Sequence, residues 1–159
     1  MIRLIEENLV RQNKAMMLLL VLLEEEFSRL NQGQPQRVSQ IELSIQELMR
    51  QVAGERRSLK AMVGSLVPGA QRVRELFATL DEETGESFRQ MLEMLDETEQ
   101  KCAVQASKNN EMAMALFEQS SKLLAFMHNE IKPKNSGAYA PSGRLARAPS
   151  SARLLTGRL

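Results

Sequence analysis

"NQGQPQ", residues 31–36, separates two stretches that carry the same apolar rhythm. Before it, Ile2, Ile5, Leu9, Met16, Leu19, Leu23 and Leu30 recur at about 3.5-residue spacing, with Leu20 and Phe27 widening the stripe. After it, Val38, Ile41, Ile45, Leu48, Val52, Leu59, Met62 and Leu66 repeat the pattern. Gly33 suits the end of a helix and Pro35 the first position of the next. So short a connector turns the chain back on itself. The pattern therefore predicts an antiparallel helical hairpin, with helices over about 2–30 and 36–65. Gln12 and Glu26 interrupt the first seam. Gly54 costs roughly 1 kcal/mol against Ala inside a helix, and it is expected to mark a bend or a close approach of two helices.

Downstream, "VPGA" (67–70) breaks the pattern. A short third helix is expected over about 70–81, with Val73, Leu76, Phe77 and Leu80 on one side. "DEETGES" (81–87) offers Asp81, Thr84 and Ser87 as N-caps, and Gly85 makes a break or kink there plausible. The fourth helix is the longest, about 86–131. Its seam is Phe88, Leu92, Leu95, Cys102, Ala106, Asn109, Ala113, Leu116, Leu123 and Met127. Between Glu99 and Asn110 the inward positions are small or polar. Two readings stay open there: close helix approach with Asn fixing register, or a solvated face. A helix of about 45 residues reaches roughly 65 Å, further than either partner helix, so part of its stripe is expected to lack cover. "MAMALFEQSSKLLAFM" (112–127) is apolar on more than one side and is the candidate binding surface.

Composition agrees with an all-helical fold. Apolar residues make up 43% of the chain but aromatics only 4%, with no Trp, which suits aliphatic helix packing better than a β-sandwich. Ten methionines fit either a loose core, the commoner use, or an adaptable groove. One cysteine, Cys102, excludes an internal disulfide framework and fits a reducing compartment. Charges at Arg3, Glu6 and Glu7 argue against a signal peptide. The most apolar run, "MMLLLVLL" (16–23), is eight residues long, against the about twenty that span a membrane. A soluble, cytoplasmic protein is expected.

Catalytic constellations are missing from the pattern. His128 near a helix end is read as a dipole partner. Cys102 and His128 would lie roughly 39 Å apart on one helix, too far for a nucleophile–base pair. One His and one Cys are too few strong ligands for zinc. "EEE" (24–26) lacks the Glu-x-x-His partners of a di-iron bundle and reads as a solvated face. Gly64, Gly69 and Gly85 are isolated and form no phosphate loop. No enzyme activity, cofactor or metal is expected, and no nucleic-acid motif is present.

The chain ends in "KPKNSGAYAPSGRLARAPSSARLLTGRL" (132–159), which has no Asp or Glu. From Pro133 onward it carries five basic residues, leaving 16 basic and 20 acidic in the body, a net of −4. Pro133 helps to stop the fourth helix. "KNSGAYAPSG" is linker chemistry. Beyond it, a helix starting at Pro149 would place Leu155 and Leu159 together, with Leu154 beside them. Eleven residues do not hold such a helix alone in water. The tail is expected to be flexible and to fold on meeting an apolar groove.

Two long N-terminal helices, a last helix containing "NNEMAMALFEQSSKLLAFM" (109–127), and then "AYAPSGR" (138–144) resemble the FlgN family of flagellar export chaperones. Members often end in a Tyr followed by a short turn and Gly, here Tyr139 to Gly143. The extension "ARAPSSARLLTGRL" (146–159) maps to no family motif. The resemblance implies a cytoplasmic chaperone of the flagellar type III export system. Such proteins bind helical termini of the hook-associated proteins of the FlgK and FlgL type, keep them from assembling early and bring them to the export-gate protein FlhA.

The expected architecture is an all-α, elongated antiparallel bundle with coiled-coil-like packing, three long helices and one short. Residues 1–132 form the bundle and 133–159 the basic tail. The partner-binding residues are expected to be Met112, Leu116, Leu123, Leu124 and Met127, joined by Leu154 and Leu155, with Tyr139 contacting client or gate. A homodimer stays open. Other readings are a coiled-coil adaptor that only oligomerises, and weak binding of the basic tail to anionic lipid without stable insertion.

Overall fold

A computed structural model describes residues 1–131 of the chain, Ile131 by its backbone alone. The expected tail, 133–159, lies outside the described residues. Compactness divides the chain into Met1–Gln119 and Ser120–Leu159. Among the described residues the regular structure is entirely helical: α1 (Ile2–Asn31), α2 (Pro35–Leu66), a 3-10 helix (Val73–Thr79) and α3 (Glu82–Ile131), the helix expected as the fourth.

The connector folds as its residues require. Gly33 adopts φ +65°. Its N–H donates to the Leu30 carbonyl at 3.1 Å, and the Gln34 N–H donates to the Arg29 carbonyl at 3.3 Å. This paired closure caps α1 with a left-handed residue, and Pro35 opens α2 where no N–H is needed. A Cβ at Gly33 would meet nothing within 4 Å, so only backbone conformation is at stake. Gly33→Ala is expected to destabilise the protein by about 1–2 kcal/mol in urea titration, and Gly33→Asn by less.

Contacts across the connector confirm the reversal. Arg29 Nη1 donates to the Arg37 carbonyl at 2.7 Å near the turn, while Arg11 grips Glu55 at 2.9 and 3.0 Å far from it. α3 then runs parallel to α1. Asn13 donates to the Met91 carbonyl at 3.0 Å, Cys102 to that of Met16 at 3.5 Å, and Asn109 to that of Leu23 at 2.8 Å.

Two apolar clusters result. One gathers Ile5, Leu9, Val63, Ala70, Val73, Leu76 and Phe88; the other gathers Met16, Leu19, Leu23, Ile45, Leu48, Val52, Leu95 and Cys102. In α1 a polar group separates them. Gln12, expected to interrupt the seam, is instead 1% exposed and part of it. Its amide donates to Asn8 Oδ1 at 2.6 Å, and Asn8 donates in turn to Glu55, backbone and carboxylate. Each polar atom buried here needs such a partner to offset its lost hydration. Asn13 Oδ1 has none among the described residues.

Several local expectations are corrected. The short third helix is present as a 3-10 helix and spans only Val73–Thr79 of the expected 70–81. Its three-residue period buries Val73 and Leu76, leaving Phe77 and Leu80 half-buried. Gly54 has open space around a would-be Cβ, so it marks no close approach; a Cβ built at Gly64 would stand 3.4 Å from the Ala70 carbonyl oxygen, an ordinary contact distance. Gly85 breaks nothing. The helix starts ahead of it because Asp81 Oδ2 accepts the Thr84 N–H at 3.0 Å, with Glu82 and Glu83 in the first turn facing the helix dipole.

That bond, and then one to the Thr84 side chain, holds the Asp81 carboxyl below its ordinary value of 3.8. The sign follows: a lowered folded pKa contributes stability present above the ordinary value and lost as pH falls through the lowered one. Asp81→Asn, which keeps an acceptor without the charge, is expected to flatten this part of the acid limb in urea midpoints measured across falling pH.

Candidate protein-binding surface

The buried seam of α3 advances by sevens: Phe88, Leu95, Cys102 and Asn109 are 0, 7, 5 and 4% exposed. Asn109 settles the open question about the middle of this helix on the buried side. It donates to the Leu23 carbonyl and to Glu26 Oε2, at 2.8 and 2.6 Å, and accepts from Gln105 at 2.9 Å. The small residues beside it, Ala103, Ala106 and Ser107, are exposed, so they mediate no close helix approach. Asn109→Ala is expected to cost about 1–3 kcal/mol in thermal or urea unfolding, because Glu26 and Gln105 lose a partner.

Cys102 is buried, and burial first, then Glu99 and Glu24, push its thiol upward. It is a core residue with a neutral side chain, a poor nucleophile. His128 is exposed. Among the described residues no group of three or more His, Cys, Asp or Glu side chains is placed to hold a metal ion. No helix among them is long and apolar enough to cross a membrane.

The next two heptad positions are Leu116 and Leu123. Leu116 is half-buried and Leu123 is 57% exposed. The count explains the change. Asn109 and Leu23 differ by 86 residues, as do Cys102 and Met16. The same offset gives Leu116 a counterpart in Leu30, but α1 stops at Asn31 and supplies none for Leu123. The apolar repeat thus continues in sequence after its α1 partner has ended.

Of the expected site residues, Met112 and Leu116 are half-buried, and Leu123, Leu124 and Met127 are exposed. At 100° per residue, Met112 and Leu116 fall about 40° apart on the helix, as do Leu123 and Met127, with Leu124 roughly 60° from Met127. Tyr139, Leu154 and Leu155 lie outside the described residues. Three more exposed side chains escaped the heptad reading: Met114, Phe117 and Phe126, at 64, 75 and 62%. Their signal was the apolar density of 112–127 on more than one side, which a single seam ignores. Met114 and Phe117, with Glu111 and Glu118, line a shallow open depression. A second groove, between α1 and α2, is lined by Val21, Ile41, Glu24, Glu25 and Arg29, and is more polar.

Residues 1–147 match the family model described as FlgN protein. The chain belongs to the FlgN family. FlgN is the flagellar export chaperone family. In this FlgN-family chain the match takes in Tyr139 and Gly143, and ends ahead of Leu154 and Leu155. Searches of curated proteins and of solved structures gave no match.

Proposed function

We propose that this FlgN-family protein is a cytoplasmic export chaperone that holds a terminal helix of a hook-associated protein, of the FlgK or FlgL type, against α3. The observation that carries this reading is the heptad repeat continuing to Leu123 after α1 has ended. Such a seam suits one further amphipathic helix, packed in coiled-coil fashion onto a bundle. Met112, Leu116, Leu123, Leu124 and Met127 are the proposed contacts, with Phe117 widening them beside Leu124. Leu154 and Leu155 are proposed to join the groove. Capture of a terminus that drives assembly in the filament would prevent early assembly in the cell. Tyr139 is proposed to contact the client or the gate protein FlhA during delivery. No cofactor enters this mechanism.

The ten methionines provide the test. With methyl-labelled Met and a peptide from the C-terminus of a hook-associated protein of the same bacterium, the resonances of Met112 and Met127 should shift. Those of buried Met16 and of Met49 on α2 should stay. Shifts confined to α1 and α2 would move the site elsewhere.

A second reading, an oligomerising adaptor, draws on Met17, Leu18 and Val21, which expose 50–58% of their surface on α1. It requires concentration-dependent self-association in sedimentation, with no affinity for the peptide.

A further inference from the structure

The described part of the second unit, Ser120–Ile131, is one amphipathic stretch of α3. Phe126, Leu123, Met127 and Leu124 expose 62, 57, 45 and 63% of their surface. On the helical wheel they span an arc of about 160°. A contiguous apolar arc of this kind marks an interaction surface. The arc also contains Glu130, seven residues after Leu123.

The chain runs on for 28 residues after Ile131, to Leu159. Its final part alternates leucine with arginine: Arg153, Leu154, Leu155 and, three residues on, Arg158 and Leu159. We infer that the 149–159 segment covers the Leu123–Met127 face intramolecularly in the free protein, holding the place that a client helix takes.

Three observations single out this occupant. The first is reach. Leu154 lies 23 residues after Ile131, a tether of up to about 75 Å extended, while Leu123 is only about 12 Å back along the helix. The second is charge. The segment has no acidic residue, Arg153 and Arg158 flank its leucines, and the face carries Glu130, with Lys122 at its edge; the body as a whole is net −4. The third is concentration. A tethered segment meets its site at an effective concentration on the order of millimolar, above what a second copy reaches at micromolar protein. A helix too short to hold alone can fold against such a face. The FlgN match ends at residue 147, so this cover belongs to the extension of this chain and not to the matched region.

The inference deepens the client-binding reading, but its test uses no client, so the two stand or fall separately. Methionine oxidation by dilute peroxide follows exposure. In the described residues Met127 and Met17 are similarly exposed, at 45 and 55%. In the full-length protein at low concentration, Met127 should oxidise at least about threefold more slowly than Met17, corresponding to a face covered two-thirds of the time or more. Full-length Leu154→Ser/Leu155→Ser, with an unchanged circular-dichroism spectrum, should bring Met127 to the Met17 rate. Both rates should be independent of protein concentration. Equal rates in the unsubstituted protein, or protection that survives the double substitution, would overturn the inference. Protection that grows with protein concentration would also overturn it and assign the cover to a second copy.

Discussion

Leu123→Asp is expected to weaken binding of a hook-associated C-terminal peptide by about 100-fold or more, close to 2.7 kcal/mol, while leaving the urea midpoint of the chaperone unchanged. The two halves of this result have different origins. Leu123 is 57% exposed in the free chain, so an aspartate there stays hydrated and unfolding feels little. In a complex the same position would be a seam residue packed on all sides. A carboxylate buried there without a partner loses its hydration for nothing, and central interface positions lose 2 kcal/mol or more on far milder truncation. Leu116 is a poorer probe because it is half-buried and its replacement would disturb both equilibria. Met17→Asp, at an exposed apolar site on α1, supplies the control and should leave peptide affinity unchanged.

The second large effect is on stability. Phe88→Ala should cost about 3–5 kcal/mol in urea titration. Phe88 is fully buried in the cluster that joins Ile5 and Leu9 of α1, Val63 of α2 and Val73 and Leu76 of the 3-10 helix. Four elements meet there, so no single one can collapse into the space an alanine would leave. Leu92, on the next turn, is only half-buried and should lose less on truncation.

Much of this organisation was legible because α1 and α2 repeat a single apolar period over thirty and thirty-two residues. Gly33 and Pro35 then leave one economical way to join them. The seam residues from Ile5 to Leu23 and from Val38 to Val52 are buried as the period requires. The reading weakened where a helix changes partners. At the end of α2 the expected Leu66 is 37% exposed and Val63 is fully buried, because Ala70, Val73 and Leu76 come in over the last turns. No heptad count contains that segment.

Polarity misled in a different way. Gln12 was expected to interrupt the stripe, yet it is buried, and so are its polar neighbours Asn8 and Asn13. Their place depends on bonds to Glu55 and Met91, 47 and 78 residues away in sequence. Nothing local to α1 announces those partners. Of the proposed contacts, Leu123 and Met127 lie on the heptad and are exposed, while the heptad passes over the more exposed Phe117. A seam describes how a helix meets one neighbour, whereas Phe117 lies outside the arc that continues the buried repeat.

The most direct measurement of the central claim is isothermal titration of the full-length protein with a hook-associated C-terminal peptide, repeated over a range of temperatures. A client helix seated on an apolar seam predicts saturable binding with a negative heat-capacity change, both lost in Leu123→Asp and retained in Met17→Asp. Tight binding that is indifferent to Leu123→Asp, or no binding by a folded, helical chain, would contradict the assignment of α3 as the client-carrying surface.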